Sequence, residues 1–393
     1  YDKAKKCYEK AIEINPNFTA AHNNLGVIFN ELGDHEKAIN CYEKAITINP
    51  NNIDVLNNLG VLFEKLGEPQ KAISYYEKVI KIDPNHFGGI NGLSASLRGS
   101  TLEDKNNLKN ICLFLFKKNN ISHNDIFHNA KSALHIEEYE NQIKEIINSE
   151  SLLLTNKYVH SLLTEELFHL MLQKSLIADK FLEKFLTKIR CELLFTLDDP
   201  NKEILNEHFN FIISFAEQCW LNEYVYIDSE KEVNKINKLK DKIESSNKID
   251  ELEIAILSCY VPLNESQIII KKLLNHKSTN ILFNDLIKVQ IKEPLEEKEL
   301  KKSIKSFDKI LDPISNKVQE QYEEHPYPRW RFAHHRVPKK IFDPINNDIA
   351  PNKVDHNNKF NNPNILIAGC GTGSHPIISN RYNLNTIFDA DGY

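Results

Sequence analysis

The chain has 393 residues, of which 41 % are hydrophobic and 26 % charged, and its formal net charge is −6. An apolar fraction of this size allows packed cores and excludes general disorder. Nucleic-acid-binding proteins usually carry a strongly basic face, whereas the net charge of this chain is mildly acidic. We therefore expect no nucleic acid among its partners.

Cysteine usage and the start of the chain indicate where the protein works. The seven cysteines are scattered without a Cys-x-x-Cys pair, which argues against a zinc knuckle or a secreted disulfide framework. No stretch reaches the roughly 18 apolar residues of a membrane helix, and no signal peptide opens the chain. We therefore expect a cytoplasmic protein with no membrane partner and no metal. Because Tyr1 is not preceded by an initiator methionine, we also expect a piece of a longer protein.

An internal repeat dominates the beginning of the chain. Pro16, Pro50 and Pro84 are spaced by 34 residues, and the six residues at 7–12, Cys-Tyr-Glu-Lys-Ala-Ile, recur at 41–46. The same period relates three pairs of small residues, which are Gly26 and Gly60, Gly33 and Gly67, and Ala38 and Ala72. At nearly every signature position the pattern resembles the tetratricopeptide repeat, an array of helical hairpins that usually holds another protein or peptide.

The residue types explain the period as stacked helical hairpins. Gly33 and Gly67 suit the left-handed conformation that ends a first helix, and each proline stops a second helix. We assign residues 1–86 to the repeats, with the first one partial, because residues 1–16 match only the second half of a repeat. Apolar residues recur at helical spacing on both helices; they are Leu25, Phe29, Leu59 and Phe63 on the first helices and Ala38, Tyr42, Ala45, Ala72, Tyr76 and Val79 on the second.

Asparagines occupy the first helices, which line the concave groove of such arrays. Asn24 and Asn58 share one repeat position, and Asn23 and Asn57 lie beside them. The pattern resembles the asparagine ladder of the O-linked N-acetylglucosamine transferases, where side-chain amides hold a peptide backbone. The resemblance implies that Asn24 and Asn58 bind a protein or peptide, since an amide offers both donors and an acceptor. The alternative is that these asparagines are abundant and merely solvated.

Beyond Pro84 the repeat decays and a helical region follows. Ile90, Leu93 and Leu97 keep the repeat spacing, but the sequence from Ser100 does not. Residues 87–120 are therefore interpreted as a degenerate repeat or cap. Residues 121–311 show helical periodicity throughout and contain no glycine, so we expect an all-helical middle domain.

One segment of this domain combines groups that could carry chemistry. Residues 215–225 are Phe-Ala-Glu-Gln-Cys-Trp-Leu-Asn-Glu-Tyr-Val. One hypothesis makes Cys219 a nucleophile or Glu223 a base. The other is an amphipathic helix with Trp220 and Tyr224 in the core, and it is favoured because the sequence fixes no histidine partner nearby. The lysines at 231–242 alternate with acids and apolar residues, as on a solvated helix face.

Residues 312–363 are expected to form a short helix and then a linker rich in Pro and Asn. Within them, residues 325–330 are His-Pro-Tyr-Pro-Arg-Trp, and the two prolines exclude a regular helix. Arg329 and Trp330 either cover a cofactor or substrate, or pack the linker on its domain. The nearby histidines lack the carboxylate spacing of a metal site.

The most informative segment for chemistry begins at residue 364 and is Asn-Ile-Leu-Ile-Ala-Gly-Cys-Gly-Thr-Gly-Ser-His. Residues 365–368 suit a buried parallel strand, and the glycines would bring a ligand against bare backbone where a helix begins. The third glycine comes one residue too early for the dinucleotide fingerprint. The pattern resembles instead motif I of the class I S-adenosylmethionine-dependent methyltransferases.

That resemblance implies S-adenosylmethionine as cofactor. An acid at the end of the next strand, over 384–391, would bind the ribose hydroxyls; Asp391 is the first choice and Asp389 the second. Many family members carry an acid two residues before the first glycine, where this chain has Ile367. The residues that would face the methionine part of the cofactor are Gly369, Cys370, Gly371, Thr372 and Gly373.

The segments at 219–225 and 318–330 resemble those of a bacterial family that joins tetratricopeptide repeats to a methyltransferase domain. The resemblance implies a mainly α protein: a tetratricopeptide superhelix, an all-helical domain and, over 364–393, the truncated start of a Rossmann-like α/β methyltransferase domain. The usual catalytic residues would lie beyond Tyr393, so none is named and the chain is expected not to methylate alone. The alternative is a repeat scaffold whose glycine turn belongs to another nucleotide or sugar-nucleotide enzyme, such as a glycosyltransferase, or to an inactive domain.

Overall fold

The computed structural model describes residues 1–98, 100, 102–149, 151–199, 203–302 and 317, together with the backbone of 364–367 and 385–388. The chain divides into two compact units. The first comprises Tyr1–Leu115 and Asp125–Ala133, and the second Phe116–Asn124 and Leu134–Tyr393. The described part is mainly helical, which confirms the expected class at that level. The functional domain limits inferred from the sequence stay a prediction.

Consecutive helical hairpins build the first unit. Helix α2 packs on α3 and α4 on α5, and α6 continues the stack against α5. Stacking buries the apolar face that a single hairpin would leave open, and all ten apolar residues predicted for the hairpin cores are buried. The helices are α1 Asp2–Ile14, α2 Thr19–Glu31, α3 His35–Ile48, α4 Ile53–Lys65, α5 Pro69–Ile82, α6 Phe87–Arg98, α7 Lys105–Phe116 and α8 Phe127–Ala133.

The first helix of each hairpin ends at a glycine, as predicted. Gly33 and Gly67 have φ angles of 78° and 73°, a region that side chains with a Cβ atom disfavour. After Gly33 the backbone N–H of Asp34 donates to the Phe29 carbonyl at 2.9 Å. The N–H of Gly33 itself donates to the Asn30 carbonyl at 3.1 Å, and the same two bonds recur around Gly67. Both helices therefore close with the Schellman arrangement, which satisfies their last carbonyls.

Small residues let the paired helices approach closely. A Cβ atom on Gly26 would lie 2.7 Å from Cε1 of Tyr42, and one on Gly60 would lie 2.5 Å from the same atom of Tyr76. A Cβ atom on Gly92 of α6 would overlap Cζ of Tyr76, so this glycine also leaves room for the ring. Burial raises the pKa of Tyr42 to about 12, so the hydroxyl stays protonated inside the hairpin.

The second unit packs its helices around the strongly apolar α14. Helix α11 contacts it most extensively, followed by α16 and α18, and no residue from Phe211 to Leu221 is exposed. The helices are α9 Ile136–Ile147, α10 Lys157–Leu163, α11 Glu166–Lys174, α12 Lys180–Thr196, α13 Glu203–Glu207, α14 Phe209–Leu221, α15 Glu230–Ser245, α16 Glu251–Leu257, α17 Gln267–Leu274, α18 Ile281–Ile287 and α19 Glu293–Lys301, and a π-helical turn covers Lys288–Lys292.

Helix α14 is shorter than the sequence suggests, and this corrects one prediction. Trp220 is in the core as expected, but the helix ends at Leu221 and Tyr224 lies beyond it, only half-buried. Glu223 and Tyr224 both have φ near 55°, and the N–H of Tyr224 donates to the Cys219 carbonyl at 2.8 Å. A glutamate therefore occupies the left-handed position that glycine normally fills after a helix. The residue type of Glu223 does not predict that the helix ends here.

Helix α15 confirms the predicted solvated face. Ser229 and Glu232 form a reciprocal capping box at its start. Four residues at helical spacing face the core, namely Glu232, Ile236, Leu239 and Ile243, while most of the lysines remain at the surface.

Two short strands follow in the sequence. β1 Asn364–Ile367 and β2 Asn385–Phe388 pair in parallel, with Asn364 opposite Asn385 and Ile367 opposite Phe388. A parallel pair requires a crossover connection, but residues 368–384 lie outside the described residues. The Rossmann-like methyltransferase start therefore stays a prediction.

Candidate peptide-binding site

The amide side chains of α2 and α4 form a connected row. Asn58 Nδ2 donates to Asn23 Oδ1 at 3.1 Å, so the row crosses from one hairpin to the next. Asn23 Nδ2 donates to Asn24 Oδ1 at 3.5 Å, and Asn24 Nδ2 donates to the Tyr8 hydroxyl on α1 at 3.3 Å. The structure thus brings both sequence-predicted asparagines, Asn24 and Asn58, into one half-buried row.

Each amide of the row keeps hydrogen-bonding capacity for a ligand. A carboxamide has two N–H donors and an oxygen with two lone pairs, and the bonds within the row use only part of these. Because the bonds tie three helices together, the side chains would lose little freedom when a ligand binds. The row can therefore both donate to and accept from a peptide backbone.

Asn57 has different surroundings from the rest of the row. A Cβ atom on Gly88 would lie 2.7 Å from Asn57 Oδ1, and this buried oxygen has no hydrogen-bond partner among the described residues. Its oxygen is thus covered by the start of α6. Sharing a repeat position with Asn23 is not enough to present the amide to a ligand.

The sequence interpretation did not include Asn91, which occupies the same repeat position as Asn23 and Asn57. Asn91 on α6 lies two repeat periods after Asn23 and is half-buried. The signal was present, because the 34-residue spacing continues to this point although the sequence from Ser100 loses it. The equivalent of Asn58 in this repeat is Gly92, so the doubled asparagine ends at α4.

The cofactor residues inferred from the glycine motif lie outside the described residues, as do Arg329, Trp330 and the histidines near them. These residues are Gly369, Cys370, Gly371, Thr372, Gly373, Asp389 and Asp391. Their roles stay predictions. The described backbone of β1 ends two residues before the first of these glycines.

Cys219 is not a nucleophile in this fold. Its side chain is fully buried close to Cys259, and burial raises the pKa of the thiol well above its usual value. Because the thiolate is the reactive form, a thiol held protonated in an apolar site is inert. The nucleophile hypothesis for Cys219 is therefore wrong, whereas the base role considered for Glu223 stays a prediction.

A buried guanidinium organises the loop that follows α14. Arg190 donates to Asp228 Oδ1 at 2.6 Å and to the carbonyls of Tyr226, Ile227 and Cys259 at 3.2–3.3 Å. Burial raises the pKa of Asp228, and the charge of Arg190 opposes that rise. Arg190 thus holds the loop to the core, which is a structural role.

A second buried polar group is His208, at the start of α14. Both ring nitrogens are buried and have no hydrogen-bond partner among the described residues. The ring meets that of His160 edge to face, with centroids 4.8 Å apart. Burial, helped by the neighbouring His160, lowers the pKa of His208 to about 4, so the imidazole is neutral near pH 7.

The described residues also bear on a metal site and on a membrane-spanning helix. In that part of the chain, no group of three or more His, Cys, Asp and Glu side chains is placed to hold a metal ion. Nor does any helix there combine the length and the apolar composition needed to cross a bilayer.

Hairpins that stack with a 34-residue period define a helical repeat array, a class of protein whose repeats commonly bind other proteins or peptides. Comparison with family models identifies the repeats themselves. Models described as tetratricopeptide repeat match residues 7–40 and 53–86, and one described as TPR repeat matches residues 26–67. Residues 7–86 are therefore tetratricopeptide repeats. A search of curated proteins finds no match to the chain.

Proposed function

We propose that the repeats bind an extended segment of a partner protein through Asn24 and Asn58. The observation that carries this proposal is the hydrogen-bonded amide row, in which one repeat position supplies an asparagine from each of two stacked hairpins. Tetratricopeptide repeats commonly bind protein or peptide partners, which supports a recognition role for this surface.

Amides suit the backbone of a peptide better than its side chains. Every peptide unit offers one N–H and one C=O, and a carboxamide matches both groups with its own donors and acceptor. Because the row is fixed by its own hydrogen bonds, little side-chain entropy opposes binding. We expect the amides themselves to recognise an extended backbone irrespective of its side chains.

Replacing both asparagines tests the amide row. Peptides enriched from a displayed library of linear dodecapeptides on the wild-type protein are titrated against Asn24→Ala/Asn58→Ala. Losing two net hydrogen bonds is expected to weaken binding by about ten- to thirtyfold. The matched control is Asn17→Ala/Asn51→Ala, since these exposed asparagines also lie one repeat apart.

The control should bind as the wild type does, because Asn17 and Asn51 are in the loops between hairpins. Equal affinity of the two double variants for every enriched peptide would show that the groove works through other residues, or that no groove is used. Circular dichroism of both variants checks that the helices remain intact.

We propose further that the protein uses S-adenosylmethionine, with the repeats as its substrate-recognition arm. Two observations support this: the Gly-x-Gly-x-Gly motif from Gly369 to Gly373, and the parallel pairing of β1 with β2 on either side of it. Gly369, Gly371 and Gly373 would let the cofactor approach the backbone, and Asp391 would bind the ribose hydroxyls. The cofactor, when bound, supplies an electrophilic methyl group.

Calorimetric titration of the full-length protein with S-adenosylmethionine tests the second proposal. Binding to the wild type is expected, and Gly371→Arg should abolish it because a long side chain would fill the turn. Asn17→Arg places the same side chain on an exposed loop and should leave binding unchanged. Absence of binding, with binding of a nucleoside-diphosphate sugar instead, would favour a glycosyltransferase. If neither compound binds, the remaining interpretation is a repeat scaffold without either activity.

A further inference from the structure

A stripe of uncharged side chains runs beside the amide row. Val27 and Val61 share one repeat position and are 37 % and 46 % exposed, although both are branched apolar residues. Each lies one helical turn after the asparagine pair of its own helix, so valine and amides share a face. In α6 the equivalent position is Ala95, which is half-buried.

The charge pattern of this face is unusual for the chain. Charged residues make up 26 % of the sequence, yet no charge occupies any of the three repeat positions concerned in the three first helices. These positions hold Asn23, Asn24 and Val27 in α2, Asn57, Asn58 and Val61 in α4, and Asn91, Gly92 and Ala95 in α6. Exposed charges begin one helical turn away in α4, at Asp54 and Lys65. The uncharged surface is therefore limited to these nine positions, which suit a ligand segment without charge.

The amides and the valines can contact different parts of one ligand, namely its backbone and its side chains. In an extended peptide, successive side chains point to opposite sides while the backbone groups point laterally. A peptide whose backbone is held by the amides would turn every second side chain toward the valines. An apolar side chain gains free energy by covering them, whereas a carboxylate or ammonium group would lose hydration without finding a partner.

We propose that Val27, Val61 and Ala95 form a floor that selects partner segments with small apolar side chains at alternate positions. The proposal rests on the peptide-binding function proposed for Asn24 and Asn58 and adds a specificity to it. The occupant is an extended segment, because a helical ligand forms its backbone hydrogen bonds internally. Such a ligand would offer the amides few free backbone groups to bind.

The probes are three fluorescein-labelled octapeptides that differ only at alternate positions. These positions are all valine in the first peptide, all serine in the second and all glutamate in the third. Anisotropy titrations use the wild type, Val27→Thr/Val61→Thr, Leu32→Asn/Leu66→Asn and Asn24→Ala/Asn58→Ala. Threonine keeps the shape of valine but adds a hydroxyl group, so folding is preserved. Leu32 and Leu66 are the matched control, being apolar, one repeat apart and 52 % and 37 % exposed at the ends of α2 and α4.

On the wild type, the valine peptide is expected to bind at least about tenfold more tightly than the glutamate peptide, with serine between them. The valine-to-threonine variant should reduce that preference to within about threefold, and the leucine control should keep it. The asparagine variant should weaken all three peptides alike.

Other outcomes would overturn the proposal in distinguishable ways. If the three peptides bind the wild type equally and the asparagine variant weakens each of them, the floor selects nothing while the peptide-binding function stands. If none of the three binds, the floor proposal fails, and the peptide-binding function fails with it only if the library-enriched peptides also bind the asparagine variant as tightly as the wild type. Tighter binding of an amphipathic helical peptide, used as a fourth probe, would reject an extended occupant.

Discussion

Replacing Arg190 with methionine is expected to lower the free energy of unfolding of the second unit by about 3–5 kcal/mol. The guanidinium is 1 % exposed and donates to the Asp228 carboxylate and to the carbonyls of Tyr226, Ile227 and Cys259. Methionine fills a similar volume but donates no hydrogen bond. The loss would arise because these acceptors remain in place without their donor.

Lys184→Met, on the same helix, is the control for this variant. Lys184 is exposed, so its replacement should change the free energy of unfolding by no more than about 0.5 kcal/mol. Urea unfolding followed by tryptophan emission reports on this unit, because Trp220 lies in its core and the repeats contain no tryptophan. Equal urea midpoints for the two variants would mean that the buried guanidinium contributes nothing to stability.

The second unit is also expected to lose about 3 kcal/mol of stability through His208 as the pH falls from about 6.5 to about 4. In the unfolded chain this histidine binds a proton near its ordinary pKa of 6.5, whereas in the folded protein its pKa is lowered to about 4. Between these values the unfolded state holds more protons, so acidification favours unfolding. Burial also lowers the pKa of His169, which acts in the same direction.

His208→Leu should remove this contribution, since neither ring nitrogen makes a hydrogen bond among the described residues. The difference in free energy of unfolding between variant and wild type is measured by urea titration at several pH values. It should shift in favour of the variant by about 3 kcal/mol between pH 7 and pH 4. Carboxylates titrate equally in both proteins, so parallel curves would show that His208 ionises normally in the folded state.

The repeat unit could be predicted from the sequence in detail because each of its constraints recurs. A period of 34 residues places glycine at the helix ends, proline after the hairpins and tyrosine against the helix glycines. The left-handed angles at Gly33 and Gly67 follow from residue type, since only glycine adopts them without strain. Recurrence turns weak local preferences into a strong signal.

The second unit gave no such signal, and its critical residues were missed. Arg190 is a charged residue on a helix, and sequence alone assigns such a residue to the surface. Its burial depends on acceptors that lie 36 to 69 residues away in sequence. The end of α14 was missed for a related reason, because Glu223 adopts a conformation that its residue type disfavours.

The candidate site was predictable where one residue type repeats at one position. Asn24 and Asn58 met that condition, and the structure joins them in one row. Asn57 met a similar condition, but its oxygen is covered by Gly88, which depends on how α6 packs. The exposure of Val27 and Val61 could not be foreseen either, because branched apolar residues on a helix normally indicate a buried face.

The common register of the hairpins has a consequence for how such a protein can change over generations. Each hairpin contacts only its neighbours, so a duplication of residues 17–50 would insert one more hairpin without disturbing the two beside it. The new copy would carry its own asparagine pair and valine in register, so the amide row and the valine stripe would each be extended by one repeat. Affinity for a long partner segment could then rise through copy number, by adding weak contacts along one tethered chain, without refinement of any single contact.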